Sequence, residues 1–242
     1  MNASFVSAGR SDRGNVRDRN EDAILVREDL GLWAVADGLG GHSAGDTASR
    51  AVVERLGALQ RPADLVEFVE SIEDALREVN RELRELARER RVDIIASTVV
   101  LLACSEDLAV CGWVGDSRAY GFDAGRLGML TLDHVAWDDD DDADEPSHES
   151  RKPPVGGALT RAIGADDELF IDWAVASRRS GLTFVLCSDG INKEMSDEEI
   201  AAECARQGEP GVLVDRLLGT ALSRAGRDNI SVVAVRMGSA MP

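Results

Sequence analysis

Apolar residues along this chain fall mostly into short runs that end at glycine or aspartate. Nine of these runs are rich in β-branched residues and are therefore typical of β-strands. They lie at about 4–9, 22–28, 32–37, 97–104, 108–116, 117–123, 170–176, 182–189 and 229–237. Several follow one another with no helix-sized segment between them. We therefore expect antiparallel hairpins rather than parallel strands joined by crossovers.

Four other segments have the pattern of helices, at 43–59, 62–90, 196–207 and 210–224. In the second, Pro62 is placed near the first turn, where proline is tolerated. The apolar residues of this helix alternate in spacing by four and three: Leu65, Val69, Ile72, Leu76, Val79, Leu83 and Leu86. Such a stripe suits a helix laid on a sheet and also a coiled-coil seam, and about three heptads favour packing on a sheet. Strands interleaved with helix pairs predict sheet layers covered by helices.

The composition is that of a globular chain with an unusual charge. The 242 residues are 44% hydrophobic but only 4% aromatic, so we expect a core of mostly aliphatic residues. The formal net charge of −18 argues against nucleic acid or an anionic membrane as a partner. The cysteines form no Cys-x-x-Cys pair, and we expect all four to be reduced core residues: Cys104, Cys111, Cys187 and Cys204.

No internal repeat or linker divides the chain, so we expect residues 1–242 to form one domain. The segment 137–145 reads "WDDDDDADE" and is followed by several prolines and glycines, so we expect a mobile acidic loop at about 136–157. The N-terminus lacks the basic-then-apolar pattern of a signal peptide, and no apolar run reaches the ~18 residues of a membrane span. We expect a soluble, cytoplasmic protein.

Carboxylates recur at the ends of the predicted strands. Asp37-Gly38 ends "LWAVAD", and Asp189-Gly190 ends "LTFVLCSD". Three further strands carry such groups at one end: Glu21 and Asp22, Asp116, and Asp228. One Asp-Gly pair is an ordinary turn signal, but five strand ends of this kind indicate a shared site. If the ends converge, the carboxylates repel one another unless cations lie between them.

The donor chemistry favours a hard divalent cation. Oxygen ligands without cysteine or paired histidine suit Mg²⁺ or Mn²⁺, and His42, His134 and His148 are too scattered for a zinc triad. Two such ions ~3.5–4 Å apart are a common device for phosphoryl hydrolysis. Gly38 suits this reading, because a backbone carbonyl can bind an ion only where no side chain blocks the approach.

Arg17, four residues before Glu21, is the best local candidate for binding a phosphate, although it could also be an ordinary surface arginine. A cysteine-dependent phosphatase is excluded, because it needs an arginine six residues after the cysteine. Here those positions hold Val110, Ser117, Lys193 and Pro210.

These residues resemble the metal-dependent serine/threonine protein phosphatases of type 2C, and in particular their compact bacterial branch. The matching motifs are "RDRNEDA" (17–23), "VADGLGGHSAGDTAS" (35–49), "ASTVV" (96–100), "GDSRAY" (115–120), "LTRAIG" (159–164), "CSDG" (187–190) and "GRDNISVV" (226–233). They occur in the order of the family over nearly the whole chain. The resemblance implies an α+β fold in which two packed antiparallel β-sheets are flanked by helix pairs.

The resemblance also implies roles for particular residues. It makes Asp22, Asp37, Asp189 and Asp228 ligands of two central metal ions, Mn²⁺ or Mg²⁺, with the Gly38 carbonyl as a further ligand. By the same comparison, Glu21 holds metal-bound water, and Asp116 with Asp189 forms a third metal site. Arg17 is the substrate phosphate clamp. Arg17, Asp37 and Asp189 are the residues expected to act most directly in catalysis.

Two departures from the family pattern limit what can be carried over. Some eukaryotic members have a histidine proposed as general acid where this chain has Leu39, and His42 lies too far along to take that role. We expect a metal-bound water to donate the proton instead. The acidic run also replaces the helical flap segment of the family, so flap-dependent substrate preference is not transferred.

We therefore expect a metal-dependent protein phosphatase that hydrolyses phosphoserine and phosphothreonine by attack of a metal-bridging water, without a phosphoenzyme. Its expected partners are phosphorylated protein substrates of a Ser/Thr kinase, with no nucleic acid or membrane, and the protein is expected to be a monomer. Two alternatives stay open. One is a non-catalytic member that binds phosphoproteins, and the other is a two-metal phosphoesterase acting on small substrates or nucleic acid.

Overall fold

The structure, a computed structural model, describes residues 5–40, 44–136, 157–206 and 208–238. The strands of these residues are Phe5–Asp12 (β1), Asp22–Arg27 (β2), Leu32–Leu39 (β3), Ala96–Ser97 (β4), Val99–Cys104 (β5), Leu108–Val114 (β6), Arg118–Asp123 (β7), Arg126–Met129 (β8), Asp172–Ser177 (β9), Thr183–Cys187 (β10) and Ile230–Met237 (β11). The helices are Ala44–Gly57 (α1), Leu65–Arg90 (α2), Asp189–Asn192 (α3), Asp197–Ala205 (α4) and Pro210–Ser223 (α5).

The strands form two antiparallel sheets. The first has the order β1-β11-β10-β7-β8, and the second has the order β2-β3-β5-β6-β9, with β4 paired to the end of β3. Both the antiparallel pairing and the α+β class confirm the expectation from the sequence. The strand β8 was missed, because its four residues are mostly exposed and offer no apolar run.

Alternation along the strands creates separate apolar layers on the two faces of each sheet. In β3, Ala34 and Ala36 contribute to a core shared with α1 and α2, while Trp33 and Val35 face a core between the sheets. In β11, Val233 and Val235 join the core between the sheets. The neighbouring residues of β11 pack with α4 and α5 in a third core. The period of two along a strand thus produces the helix–sheet–sheet–helix layering.

The helix α2 packs on the second sheet and is not a coiled-coil seam. Its residues Ile72, Leu76 and Val79 are fully buried in the core shared with that sheet. The prediction that Pro62 lies near its first turn was wrong. The helix begins at Leu65, after Asp64, whose side chain accepts hydrogen bonds from the backbone N–H groups of two first-turn residues. An N-cap aspartate therefore sets this start, rather than the proline.

The four cysteines are free and buried, as expected from the sequence. Burial raises the pKa of the Cys187 thiol to about 12, so this thiol stays protonated and acts as a small apolar core residue. Over the described part of the chain, none of the helices combines the length and the apolar character that a membrane crossing requires.

Candidate active site

The antiparallel register gathers the acidic segments at one end of the two sheets. Asp22 at the start of β2 is the direct cross-strand partner of Asp37 in β3. In the other sheet, the end of β10 pairs with the start of β11, Cys187 opposite Val232. Asp189 follows β10 and Asp228 precedes β11, so this pairing brings the two aspartates side by side. The four strand ends thus converge as the sequence suggested.

The backbone of Asp37 is fixed without help from its carboxylate. Its N–H group donates to Thr98 Oγ1 at 3.1 Å, and its carbonyl accepts from Thr98 N at 2.8 Å. The hydroxyl of Ser97 donates to the same carbonyl at 3.0 Å. These residues belong to the "ASTVV" motif, which carried part of the family resemblance but had no assigned role. The Asp37 backbone is therefore held in place, and its carboxylate lies near those of Asp22 and Asp189.

Two carboxylate oxygens in the site are buried without a hydrogen-bond partner among the residues that the structure describes. One is Asp22 Oδ1, whereas Asp22 Oδ2 accepts a hydrogen bond from Ser188 Oγ at 2.8 Å. The other is Asp189 Oδ1. A buried acceptor of this kind is costly unless something positive or hydrogen-donating binds it. These two oxygens are the most direct sign of a cation site.

The electrostatics of the cluster point the same way. Burial, followed by the nearby carboxylates of Asp22 and Asp189, raises the pKa of Asp37 well above its ordinary value. Burial likewise raises the pKa of Asp22 to about 7, although hydrogen bonds from nearby serines lower it. Burial also raises the pKa of Asp116 to about 7, and the charge of Asp189 adds to this effect. The pKa of Asp189 is also raised, chiefly by burial. Carboxylates that are this unfavourable to ionise would be stabilised in their charged form by a bound cation.

Asp228 differs from the other four aspartates, because two cations already contact it. The Arg17 guanidinium approaches both of its oxygens, with Nε 2.8 Å from Oδ1 and Nη2 2.9 Å from Oδ2. Lys193 Nζ lies 2.7 Å from Oδ2 as well. Burial alone would raise the pKa of Asp228, but the hydrogen bonds and charges of Lys193 and Arg17 lower it below its ordinary value.

Lys193 is a site residue that the sequence did not single out. Its ammonium also lies 2.5 Å from Asp189 Oδ2, so it spans two of the acidic side chains. Burial opposes its charged form, but the Asp189 carboxylate raises the pKa of Lys193 above its ordinary value. The available signal was the spacing, since a lysine four residues after an aspartate faces it across one helical turn.

Glu21 and Gly38 are packed tightly against the first turn of α1. A Cβ added at Gly38 would lie 2.0 Å from the carbonyl oxygen of Gly45 and 2.8 Å from that of Glu21. The absence of a side chain at Gly38 is thus required by the close approach of α1, in addition to any need for access to its carbonyl. Burial raises the pKa of Glu21, and the nearby Asp46 of α1 adds to this effect.

One asparagine ties the loop that carries Arg17 and Glu21 to the start of β11. Asn229 Oδ1 accepts from the Glu21 N–H at 2.8 Å. Its Nδ2 donates to the carbonyls of Arg13 and Arg19, each at 2.8 Å. Asn229 follows Asp228 in the "GRDN" motif, so a single dipeptide supplies both an acidic group and the anchor of the facing loop.

Asp116 lies in the turn after β6, next to Gly115, whose φ of +109° excludes most other residues. The turn is supported from behind by His134, whose Nδ1 accepts from the Gly115 N–H at 3.1 Å. Nearby, Arg118 and Asp133 form a buried ion pair with an N–O distance of 2.7 Å. This arrangement holds Asp116 at the edge of the cluster, close enough to influence Asp37.

The remaining candidate residues from the sequence do not contribute to the site or lie outside the described residues. Leu39 is the last residue of β3 and supplies no acid–base group. His42, His148 and the acidic run 137–145 lie outside the described residues.

The donor set fits a hard divalent cation. All of the candidate ligands are oxygen atoms, and two of them are buried without partners. Burial, with a contribution from the neighbouring carboxylates, raises the pKa of Asp22, Asp37 and Asp189. Among the side chains that the structure describes, no three His, Cys, Asp or Glu groups already surround one point as ligands of an ion. Instead Lys193 spans Asp189 and Asp228.

The comparisons with known proteins agree with this geometry. A family model described as "Protein phosphatase 2C" matches residues 9–212. The "Serine/threonine phosphatase stp" of Listeria monocytogenes is 32% identical to this chain, over 97% of this chain and 95% of its own length. The "Serine/threonine protein phosphatase PstP" of Mycobacterium tuberculosis is 30% identical over 93% of this chain, which matches 44% of that longer protein.

Solved structures give the same result for the fold. A structure described as PppA, a key regulatory component of T6SS in Pseudomonas aeruginosa, superposes with a TM-score of 0.86 at 35% identity. It covers 97% of this chain and 99% of its own. The catalytic domain of the serine threonine protein phosphatase PstP, in complex with 2 manganese ions, superposes with a TM-score of 0.82 at 28% identity. The match covers 98% of this chain and 100% of that domain.

Proposed function

Because this chain belongs to the protein phosphatase 2C family and is a metal-dependent serine/threonine phosphatase, we propose that its clustered carboxylates hold two central Mn²⁺ or Mg²⁺ ions. The proposed ligands are Asp22, Asp37, Asp189 and Asp228, with the carbonyl of Gly38. The observation that carries this assignment is the pair of buried carboxylate oxygens without partners, Asp22 Oδ1 and Asp189 Oδ1. The two manganese ions of the PstP catalytic domain support the same number here.

Two further acidic residues complete the proposed metal centre. We propose that Glu21 holds water at its edge, because its side chain lies against Gly45 beside the Gly38 carbonyl. Asp116 acts with Asp189 at a third ion, since burial and the Asp189 charge raise its pKa together. When bound, such ions activate water as a nucleophile and stabilise the negative charge that builds up on the phosphoryl group.

The protein's own residues position the reacting groups. The hydroxyl of Ser188 holds one oxygen of Asp22, and the "ASTVV" hydroxyls hold the Asp37 backbone, so the two facing carboxylates are pre-oriented. Arg17 is proposed to bind the substrate phosphate, because a guanidinium can grip two phosphate oxygens at once. Its side chain is 53% exposed although it contacts Asp228, so an incoming phosphate can reach it.

The proposed substrates are phosphoserine and phosphothreonine sites on proteins that a Ser/Thr kinase has modified. The names of the bacterial relatives support this substrate class. We further propose that the chain works in signalling as a cytoplasmic monomer with one catalytic domain. Its buried free cysteines and its net charge of −18 support this setting and argue against nucleic acid or a membrane surface as a partner.

The test of the site is a metal-dependence assay with a phosphothreonine peptide. Protein stripped with EDTA should be inactive, and Mn²⁺ or Mg²⁺ should restore hydrolysis. Parallel reactions with a phosphotyrosine peptide and with a small phosphate ester define the substrate class. Full activity in excess EDTA would refute the proposed metal centre.

A further inference from the structure

The chain has an unusual distribution of positive charge. Of its 27 basic residues other than histidine, only two are lysines, Lys152 and Lys193, and the other 25 are arginines. One of these two lysines lies in the centre of the acidic cluster. Arginine is a rigid planar fork that is always charged, whereas lysine is a compact point charge on a flexible stem. The single described lysine therefore differs in kind from the cations that pair acids elsewhere in the structure.

The position of Lys193 is determined by the short helix α3. Asp189 is the first residue of this helix, and the Lys193 N–H donates to the Asp189 carbonyl at 2.8 Å. One turn of backbone therefore places the lysine stem next to the Asp189 side chain. From there the ammonium reaches the segment before β11, the strand next to β10 in the same sheet, where it contacts Asp228 Oδ2.

The ammonium lies between the two carboxylates that are the proposed ligands of a shared cation. It lies 2.5 Å from an Asp189 oxygen and 2.7 Å from an Asp228 oxygen. The side chain of Lys193 is 29% exposed, while those of Asp189 and Asp228 are 18% and 15% exposed. Oxygen ligands approach Mg²⁺ to about 2.0–2.1 Å, so an ion bound by both carboxylates would not leave room for the ammonium between them. The partial exposure and flexible stem of the lysine give it a route to solvent.

We propose that the Lys193 ammonium competes with a divalent cation for Asp189 and Asp228. It acts as a built-in counter-cation when metal is scarce, and metal loading requires its displacement. As a consequence, the concentration of free divalent cation that is needed to fill the site is higher than it would be without the lysine. This inference rests on the proposed assignment of Asp189 and Asp228 as metal ligands.

The test compares Mn²⁺ binding and thermal unfolding in chelator-stripped protein for Lys193→Met and the unmodified chain. Calorimetric titration gives the Kd for Mn²⁺. We expect the Kd to fall about tenfold in Lys193→Met, because Mn²⁺ no longer has to break a charged hydrogen bond. The free energy of such a bond corresponds to a change in Kd of about this size. Without metal, the variant should melt several degrees lower, since the two carboxylates lose their counter-charge. Lys193→Gln is a second neutral variant, should the methionine protein not fold.

Arg55→Met is the matched control. The side chain of Arg55 is 30% exposed, close to that of Lys193, and also bridges two acids, Glu78 and Glu82. It contacts none of the proposed ligands, so its loss should leave the Mn²⁺ Kd unchanged. A Kd that is unchanged or higher in Lys193→Met would overturn the competition.

Asp228→Asn separates this proposal from the metal assignment on which it rests. If Asp228→Asn binds Mn²⁺ as tightly as the unmodified chain, the ligand assignment is wrong, and the competition proposal is refuted together with it. If Asp228→Asn loses binding while Lys193→Met shows no gain, the ligands are right and only the competition is wrong.

Discussion

Replacing Asp37 by asparagine should abolish catalysis without weakening the fold. The substitution keeps the shape of the side chain and removes one negative charge from a cluster in which burial and neighbouring carboxylates raise the Asp37 pKa. The backbone of Asp37 is held by Thr98 and Ser97 and does not depend on the carboxylate. The fold therefore loses no hydrogen bond of the Asp37 backbone and is relieved of repulsion.

The size of both effects can be estimated. Two like charges ~4 Å apart repel by about 4 kcal/mol at an effective dielectric constant of ~20, which is an upper limit here because protonation relieves part of it. A gain of about 1 kcal/mol in the metal-free protein would raise the Tm by roughly 2–4 °C. Loss of an anionic metal ligand should remove several kcal/mol of transition-state stabilisation, which corresponds to at least ~100-fold in kcat.

Asp133→Asn is the matched comparison, because it makes the same chemical change at a buried aspartate that is paired with a cation instead of lying among other carboxylates. Asp133 is paired with Arg118 by three hydrogen bonds of 2.7–3.1 Å. Removing one partner of a buried pair costs about 3–5 kcal/mol, so this variant should melt on the order of 10 °C lower. Calorimetry of both variants in EDTA, together with Mn²⁺-dependent hydrolysis of a phosphopeptide, provides the comparison. If Asp37→Asn destabilises as much as Asp133→Asn, or keeps kcat within about threefold, the reasoning fails.

Three further results are expected. Arg17→Ala should raise KM for a phosphopeptide by about 10- to 100-fold, since a charged hydrogen bond contributes about 1.5–3 kcal/mol; an unchanged KM would place the phosphate clamp elsewhere. In EDTA, the free energy of unfolding should fall as pH rises from about 4 to about 7. The pKa values of Asp22 and Asp116 are raised to about 7, so over this range the folded state keeps protons that the unfolded chain has released. A Tm that rises over this range would contradict those pKa values. Changing residues 138–142 to serine should reduce any preference for basic over acidic phosphopeptides, mainly at low salt, and an unaltered kcat/KM ratio would show that the acidic run does not select substrates.

Strand positions and the placement of acidic residues at strand ends were predictable from the sequence because each depends on a local pattern. Alternation and β-branched residues locate the strands, and an aspartate at a strand end is visible without coordinates. The start of α2 was misjudged because a proline and an N-cap aspartate compete for the same role within three residues. The structure decides for Asp64 through its hydrogen bonds to the first turn.

The contact of Lys193 with Asp228 and the contacts of Asn229 could not be read from the sequence, since each joins segments far apart in the chain that meet only when β11 pairs with β10 and β1. Lys193 reaches Asp228 across 35 positions of sequence, and Asn229 reaches the Arg13 carbonyl across 216. Gly38 illustrates a different limit. Its lack of a side chain suggested an accessible carbonyl, and the structure adds that the first turn of α1 occupies the space where a Cβ would be.

The direct pairing of Asp22 with Asp37 also has a consequence for how the molecule opens. Ionised carboxylates that face each other across a strand pair weaken it locally, so the β2–β3 ladder is least favourable at the site end when the pH exceeds the raised pKa values of both groups. At its other end, Val26 pairs with Trp33, which is fully buried in the core between the sheets. Local opening should therefore start at the acidic end, and backbone amides near Ala23 should exchange with solvent sooner than those near Val26. A divalent cation bound at the site should slow the exchange at that end most, because it joins the two strands where they repel.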